Sequence, residues 1–464
     1  MDLRLTKGKP SVRSAEAISS KSYVHRLLIA SALYGSGTKV VTNILSEDMK
    51  ATAGALNSLG ADVRISEADG GRYVIETAGT LKECPDGVRE VFCAESGSTA
   101  RFLLPAASLF GKSVTLTGSG RLPERPMGPL CDVLRDAGVS VSSDMLPITV
   151  SNKPKPGCYK IPGNVSSQFI SGLLFALPLL GGTSAISIEG TLESAAYVEM
   201  TVDVLARFGV RIEKTGDGFK VYPAEASGDP GTCPADGKII KAEGDWSNAA
   251  YVMAVASLGC GRLFPDFTVD GLDPGSIQGD RAAVSIFEKF GINISASGEE
   301  SAAYTVSSRP EVPVDIDCSQ IPDLVPALAV LAAYSDGAST FRNVERLRIK
   351  ECDRVRAVSE LLAAVSVKVD ITSEGGHENM TVYGWPGKAS AERPDVANSS
   401  AVSGSGAVIT ADSFNDHRIA MAAAALAFSE DEDVVIKGAD AVNKSYPGFF
   451  DLIEKMGIMS TRAD

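Results

Sequence analysis

Six stretches of this chain are apolar nearly all round after a short polar opening, too long and too regular to be strands. The openings are Lys21-Ser22, Ser96-Gly97-Ser98, Ser166-Ser167-Gln168, Asp245-Trp246-Ser247, Asp323 and Asn415-Asp416-His417-Arg418. Each apolar helix is followed by a strand pattern and then by a helix apolar on one face only. That second helix ends in a glycine feeding another strand: LGADVRI, AGVSV, FGVRI, FGINI and MGI, with VSVKV lacking the glycine. In the third repeat the reading is an apolar helix over 168–180, a strand over 185–188 and an amphipathic helix over 194–208. A hairpin follows, pairing 210–212 with 219–221. Starts spaced by roughly 70 to 93 residues mark a repeat architecture of six units. Helices without a polar face belong inside. The expected fold is therefore α/β, with buried helices inside layers of sheet and three units to a domain.

The sixth unit reaches Gly457 without the strand pair of the others, while Leu3-Arg4-Leu5 precedes the first unit. The missing strand is expected from that other terminus. One domain would then be discontinuous, 1–18 with 242–464, around an inserted domain of 19–241 joined by two crossings. The Ser/Ala/Gly-rich segment 385–411 reads as an insertion loop.

Charge and composition narrow the class. With 44 Lys+Arg against 58 Asp+Glu the net charge is −14, and no basic run offers a nucleic-acid footprint. The longest apolar stretch, 169–180, is broken by Ser171 and Pro178 and falls short of the roughly 20 residues a bilayer requires. No membrane partner is expected. No targeting segment is evident at MDLRLTKGKP, and eight cysteines without a CxxC pair read as reduced thiols, so a cytoplasmic location is expected.

Chemistry gathers at helix openings, where unpaired N–H groups and the helix dipole favour anions. RLRIKECDRVRA places Lys350, Glu351 and Arg354 at the start of an amphipathic helix, with Lys350 and Arg354 one turn apart on a shared face. Cations there oppose the dipole and make sense if an anion binds between them and the helix end. SSKSYVHR sets Lys21, Ser22 and Arg26 along an apolar helix, where an unpaired cation is costly. GSGRLPERP puts Arg121, Glu124 and Arg125 at another helix start; NDHR contributes Arg418 and NKSYP Lys444. Asp323 opens an apolar helix, as a capping acid or as a proton acceptor among cations. His25 and His417 are read as structural. The pattern describes a protein that holds small, multiply charged anions.

Taken together, RIKECDRVRA, KS…R at 21–26, RLPERP, SSQF, IPD, NDHR and NKSYP resemble, in order and spacing, the 5-enolpyruvylshikimate-3-phosphate synthase family, over essentially the whole chain. The resemblance implies two domains, each of three βαβαββ repeats in an inside-out α/β barrel, closing over a cleft. It implies transfer of the enolpyruvyl group of phosphoenolpyruvate to the 5-hydroxyl of shikimate 3-phosphate, with release of phosphate, on the route to chorismate and aromatic amino acids. Shikimate 3-phosphate would be held by Lys21, Ser22, Arg26, Ser166, Ser167, Gln168, Ser194, Tyr197, Asp323 and Lys350. Phosphoenolpyruvate would be held by Lys21, Gly97, Arg121, Gln168, Arg354, Arg418 and Lys444. Asp323 would take the 5-hydroxyl proton, Glu351 would move the methyl proton of the tetrahedral intermediate, and Lys21 would assist. No metal and no organic cofactor is implied, and the protein is expected to act as a monomer. The missing side chain of Gly97 is expected to leave room for glyphosate beside phosphoenolpyruvate.

Three places depart from the family pattern: the pair Ile18-Ser19 before Ser20, Glu95 where Asn is common, and Arg346 where some members carry Asn. The sister family that uses UDP-N-acetylglucosamine is disfavoured by Lys21-Ser22 in place of a Lys-Asn pair and by a 121–126 loop without cysteine. A non-enzymatic repeat scaffold is disfavoured by the charge and by cations confined to helix starts.

Overall fold

The computed structural model describes residues 1–35, 37–82, 87–224, 233–384 and 408–463. Twelve α-helices occur among these residues, and two kinds alternate. The odd ones are the apolar helices: α1 (Lys21–Tyr34), α3 (Gly97–Ala107), α5 (Ser167–Ala176), α7 (Trp246–Gly259), α9 (Val325–Ala333) and α11 (His417–Ser429). The even ones are one-faced: α2 (Glu47–Ser58), α4 (Gly128–Asp136), α6 (Ala195–Arg207), α8 (Ala283–Lys289), α10 (Arg354–Ala363) and α12 (Phe449–Lys455). Every residue of α7, α9 and α11 is buried, as sequences without a polar face require.

The chain divides into two compact units, Met1–Ile18 with Gly244–Asp464, and Ser19–Glu243. Ala242 and Glu243 fall in the inserted unit, two residues beyond the expected crossing. The cause is pairing: Ala242 donates to the Val41 carbonyl and Ser20 to the Glu243 carbonyl, at 3.0 and 2.7 Å.

Each unit holds three four-stranded sheets among the described residues. In the third repeat Cys158–Pro162 runs parallel to Ser184–Glu189, and Gly218–Val221 and Ile212–Lys214 complete the sheet antiparallel. The inserted unit closes on itself, since the leading strand of its first sheet is Ile239–Lys241, parallel to Thr38–Thr42. The other unit closes through the N-terminus. Leu3–Lys7 lies antiparallel between Asp433–Lys437 and Ile458–Arg462, burying Leu3 and Leu5. The strand expected from the other terminus is therefore there, but the sixth unit is less incomplete than expected, because Ile458–Arg462 supplies one of its own two strands. A second N-terminal strand, Ser14–Glu16, pairs parallel with Phe267–Leu272. Its three residues carry no alternating apolar pattern to announce it.

Most of the expected insertion 385–411 lies outside the described residues. Its last four residues belong to a strand, Val408–Asp412, parallel to Asp433–Lys437.

The even helices end alike. Gly60, Gly138, Gly209, Gly291 and Gly457 all take positive φ. The amides of Ala61, Val139, Val210 and Ile292 reach back to the helix in Schellman closures. After α10 the same closure runs from Val367 to Leu362, yet the left-handed residue is Ser366, at φ 59°. A serine side chain there costs about 1 kcal/mol relative to glycine.

Candidate active site

In the Ser19–Glu243 unit the site is built on the openings of α1, α3, α5 and α6. Ser20 caps α1, accepting from the Tyr23 amide at 3.4 Å. That places Lys21 at the first turn, where its ammonium meets the Asp48 carboxylate of α2 at 2.7 Å. One turn on, Arg26 is buried, 2 % exposed. Its Nε donates to Thr201 Oγ1 at 2.9 Å, one Nη to the Ser22 carbonyl at 2.7 Å and the other to the Tyr197 carbonyl at 2.8 Å. The guanidinium also lies 4.9 Å from the Phe102 ring centre. No carboxylate is among these partners, and burial pulls the guanidinium down to about 10. Three of the five donors of an arginine are used, which leaves one on each Nη for an anion.

Ser166 caps α5, accepting from the Gln168 amide at 3.3 Å, and Ser166 and Ser167 are both buried. The Gln168 amide group is fixed at both ends, donating to Ser98 Oγ at 2.9 Å and accepting from Arg101 at 2.8 Å. Ser194 stands at φ 54° immediately before α6, a strained conformation for serine. Tyr197 sits in the first turn of that helix and presents its carbonyl to Arg26.

Gly97 begins α3, and a Cβ on it would lie 2.7 Å from a nitrogen of Arg125. The room beside this glycine is thus taken by the Arg125 guanidinium, which an alanine would have to displace. Arg121 and Glu124 are not at the start of α4. Glu124 ends a 3₁₀ turn, Leu122–Glu124, ahead of it and Arg121 directly precedes that turn, where the two pair at 3.3 Å with much of both side chains exposed.

The other unit gathers the expected Asp323, Lys350, Glu351, Arg354 and Arg418 around one buried guanidinium. Asp323 lies in the 3₁₀ turn Pro322–Leu324 that leads into α9. Its carboxylate does not cap that helix. It accepts from Arg354 at 2.8 Å, Arg418 at 3.1 Å and Lys350 at 3.5 Å. Its carbonyl accepts from the Tyr251 hydroxyl at 3.0 Å and from Arg418 at 3.1 Å. Burial alone would raise this carboxyl, but the charges of Arg418, Lys350 and Arg354 outweigh it and hold it well below the usual range.

Lys350 and Glu351 do not open α10. Lys350 ends the 3₁₀ turn Glu345–Ile349 in extended backbone, and the helix begins at Arg354 behind its cap Asp353. Lys350 and Arg354 still converge, because both reach the same oxygen of Asp323. Burial brings the Lys350 ammonium down to about 8, against the opposing pull of Asp323.

Arg354 is 1 % exposed and holds three acids: Asp323, Glu351 at 2.7 Å and Asp416 at 2.7 Å. Burial would lower it, but Asp416, Glu351 and Asp323 together keep it well above its ordinary value. Three carboxylates of the protein thus already lie against this helix start. Asp416 is the residue that reading from the sequence missed. It caps α11, accepting from the Arg418 amide at 2.8 Å, and serves Arg354 at the same time. The signal was present, an Asp directly before an apolar helix.

Lys444 is not at a helix start either. It ends the 3₁₀ turn Ala439–Lys444, from which it donates to the Asn415 carbonyl at 2.7 Å. Asn415 and Phe414 both take positive φ, a strained pair held just before α11. His417 is buried beside Asp416. Among the described residues no group of three or more His, Cys, Asp or Glu is placed to hold a metal ion, and no helix is long and apolar enough to cross a membrane.

The fold of repeated α/β units is shared with enolpyruvyl transferases of known structure. The EPSP synthase from Acinetobacter baumannii superposes with a TM-score of 0.71 at 20% identity, covering 99% of this chain and 100% of that one. The enolpyruvyl transferase NikO from Streptomyces tendae gives 0.69 at 14% identity, covering 100% and 99%. At the level of sequence the relation is more specific. Residues 6–453 match the family model for EPSP synthase (3-phosphoshikimate 1-carboxyvinyltransferase), and the chain belongs to that family. Two relatives named 3-phosphoshikimate 1-carboxyvinyltransferase illustrate the distance. The one from Clostridium kluyveri is 38% identical, covering 94% of this chain and 93% of its own. The one from Halobacterium salinarum is 33% identical, covering 96% of each.

Proposed function

We propose that the protein transfers the carboxyvinyl group of phosphoenolpyruvate to the 5-hydroxyl of shikimate 3-phosphate and releases phosphate. The observation that carries this reading is Asp323, a half-buried carboxylate ringed by Lys350, Arg354 and Arg418 instead of capping its helix. So strongly held a carboxylate is a weak base. Anionic substrates that draw Lys350 and Arg418 to themselves would restore its basicity when both are bound.

In this reading Asp323 accepts the 5-hydroxyl proton as that oxygen bonds to C2 of phosphoenolpyruvate, while Glu351 delivers a proton to the methylene carbon. The tetrahedral intermediate then loses phosphate by C–O cleavage as a methyl proton returns to Glu351. Lys21 assists either transfer once a substrate oxyanion competes with Asp48 for its ammonium. Arg26, with two donors remaining, takes the phosphate of shikimate 3-phosphate, joined by Ser22, Ser166, Ser167, Gln168, Ser194, Tyr197 and Lys350. Gly97, Arg121, Arg354, Arg418 and Lys444, with Gln168 and Lys21, hold phosphoenolpyruvate. Aligned N–H donors and fixed cations supply the stabilisation of developing charge.

Purified protein given both substrates should release inorganic phosphate, and Asp323→Asn should lower kcat by about 10³-fold or more, the scale of a lost general base with its electrostatics. Release with UDP-N-acetylglucosamine in place of shikimate 3-phosphate, and none with the latter, would overturn the reading.

A further inference from the structure

Beneath the openings of α1, α2 and α3 lies a row of buried polar side chains that the proposed reaction does not use. His25 is 1 % exposed, Thr52 and Thr99 are fully buried, and Ser96 is 1 % exposed. His25 Nδ1 lies 2.6 Å from Thr52 Oγ1, Thr52 Oγ1 lies 2.7 Å from Thr99 Oγ1, and the Thr99 hydroxyl reaches Ser96 Oγ at 2.8 Å. Ser96 is the cap of α3, accepting also from the Thr99 amide at 3.3 Å, and Gly97 follows it directly.

The row is joined to the catalytic end of α1 by helix geometry. His25 stands four residues after Lys21 on α1, and Thr52 four after Asp48 on α2, so each pair shares a face. The two helices are thus tied twice, by Lys21 with Asp48 at 2.7 Å and one turn deeper by His25 with Thr52. Thr52 carries the tie onward to α3. Its contacts with His25 and Thr99 are both shorter than its 3.3 Å contact with the carbonyl of Asp48 in its own helix.

Two further facts set this row apart from ordinary packing. Burial, with the charges of Lys21 and Arg26, holds His25 well below its usual range, so it is a neutral imidazole. Its Nε2 is buried without a hydrogen-bond partner, a cost that an apolar residue of similar size would avoid. The imidazole therefore earns its place through Nδ1. Each hydroxyl has one proton to give, so a fixed bond at one end orders the others in sequence.

We propose that Thr52 is a positioning residue, which with His25 and Thr99 fixes the N-terminus of α3 relative to Lys21 for the binding of phosphoenolpyruvate. The inference rests on the functional reading above, in which Gly97 and Lys21 both contact that substrate. It concerns orientation, so Thr52 touches no substrate atom.

The test compares Thr52→Val with Thr52→Ser in steady-state kinetics and thermal melting. Valine keeps the shape and removes the hydroxyl; serine keeps the hydroxyl. The valine variant should raise KM for phosphoenolpyruvate by about five- to tenfold, the scale of one lost buried hydrogen bond, with KM for shikimate 3-phosphate within twofold. The serine variant should restore the wild-type value. A valine variant with KM for phosphoenolpyruvate within twofold of wild type, or with both KM values raised equally alongside a lower Tm, would overturn the proposal. Should the valine variant not fold, Thr99→Ala breaks the next link and carries the same expectations. Wild-type protein that releases no phosphate defeats the functional reading together with this inference, whereas an active wild type with an indifferent Thr52→Val defeats the inference alone.

Discussion

Arg26 and Arg354 are the two most deeply buried arginines among the described residues, and they live in opposite surroundings. Arg354 is enclosed by Asp323, Glu351 and Asp416, and its charge is more than offset. Arg26 is enclosed by two carbonyls, a hydroxyl and an aromatic ring. Burial lowers both guanidinium groups, but the three acids around Arg354 outweigh it and hold that group well above its ordinary value, whereas Arg26 comes down to about 10. The difference teaches that a cation at a helix start is not by itself an anion site. What matters is whether the protein has already supplied the anion. By that measure the charge of Arg26 is left unmatched by the protein, while that of Arg354 is shared with three carboxylates before any ligand binds.

The comparison breaks first on stability. Arg354→Met leaves three acids around an apolar side chain and should cost about 3–5 kcal/mol, the range for removing one partner of a buried ionic cluster. Arg26→Met removes a buried cation that has no acid beside it. Relief of desolvation offsets the lost ring contact, so the ligand-free protein should change by less than about 1 kcal/mol. Chemical denaturation of the two variants checks this, and equal losses would erase the distinction.

A second difference appears with pH. Lys350 stands near 8 in the free protein, lowered by burial with Asp323 opposing and Arg346 and Arg354 reinforcing the shift. A phosphate bound beside it favours the ammonium, so binding takes up a proton wherever free Lys350 is deprotonated. Affinity for shikimate 3-phosphate should be level below about pH 7.5 and fall above pH 8, by up to tenfold per unit. Lys350→Arg should flatten that limb, as calorimetric titration across pH can show.

The smallest effect lies away from both arginines. Ser366→Gly supplies the residue that the other five even helices have at this left-handed position. It should stabilise the unit carrying Arg354 by about 0.5–1 kcal/mol, with kcat unchanged, since no proposed substrate contact is touched.

How much of this could be read from residues alone follows the range of the interactions. The odd helices were legible because sequences such as VPALAVLAA have no polar face. Helix ends were legible where glycine marks them. Lys350 and Glu351 were assigned to the wrong side of a helix start because Asp353, two residues later, is the true cap. Ser14–Glu16 was invisible because a three-residue strand carries no period. Local spacing identified Arg26, but the absence of an acid beside it depends on Thr201 and Tyr197, more than 170 residues away. The same holds for Thr52, whose partners belong to two other helices.

The central claim is that Arg26 is a buried cation reserved for the phosphate of shikimate 3-phosphate. Calorimetric titration of that compound into wild type and Arg26→Met, at one pH below 7.5 and one ionic strength, tests it most directly. The account predicts saturable binding by wild type and a loss of at least about thirtyfold in the variant, the effect of removing a buried partner of a charged hydrogen bond. Equal affinities in two folded proteins would contradict it.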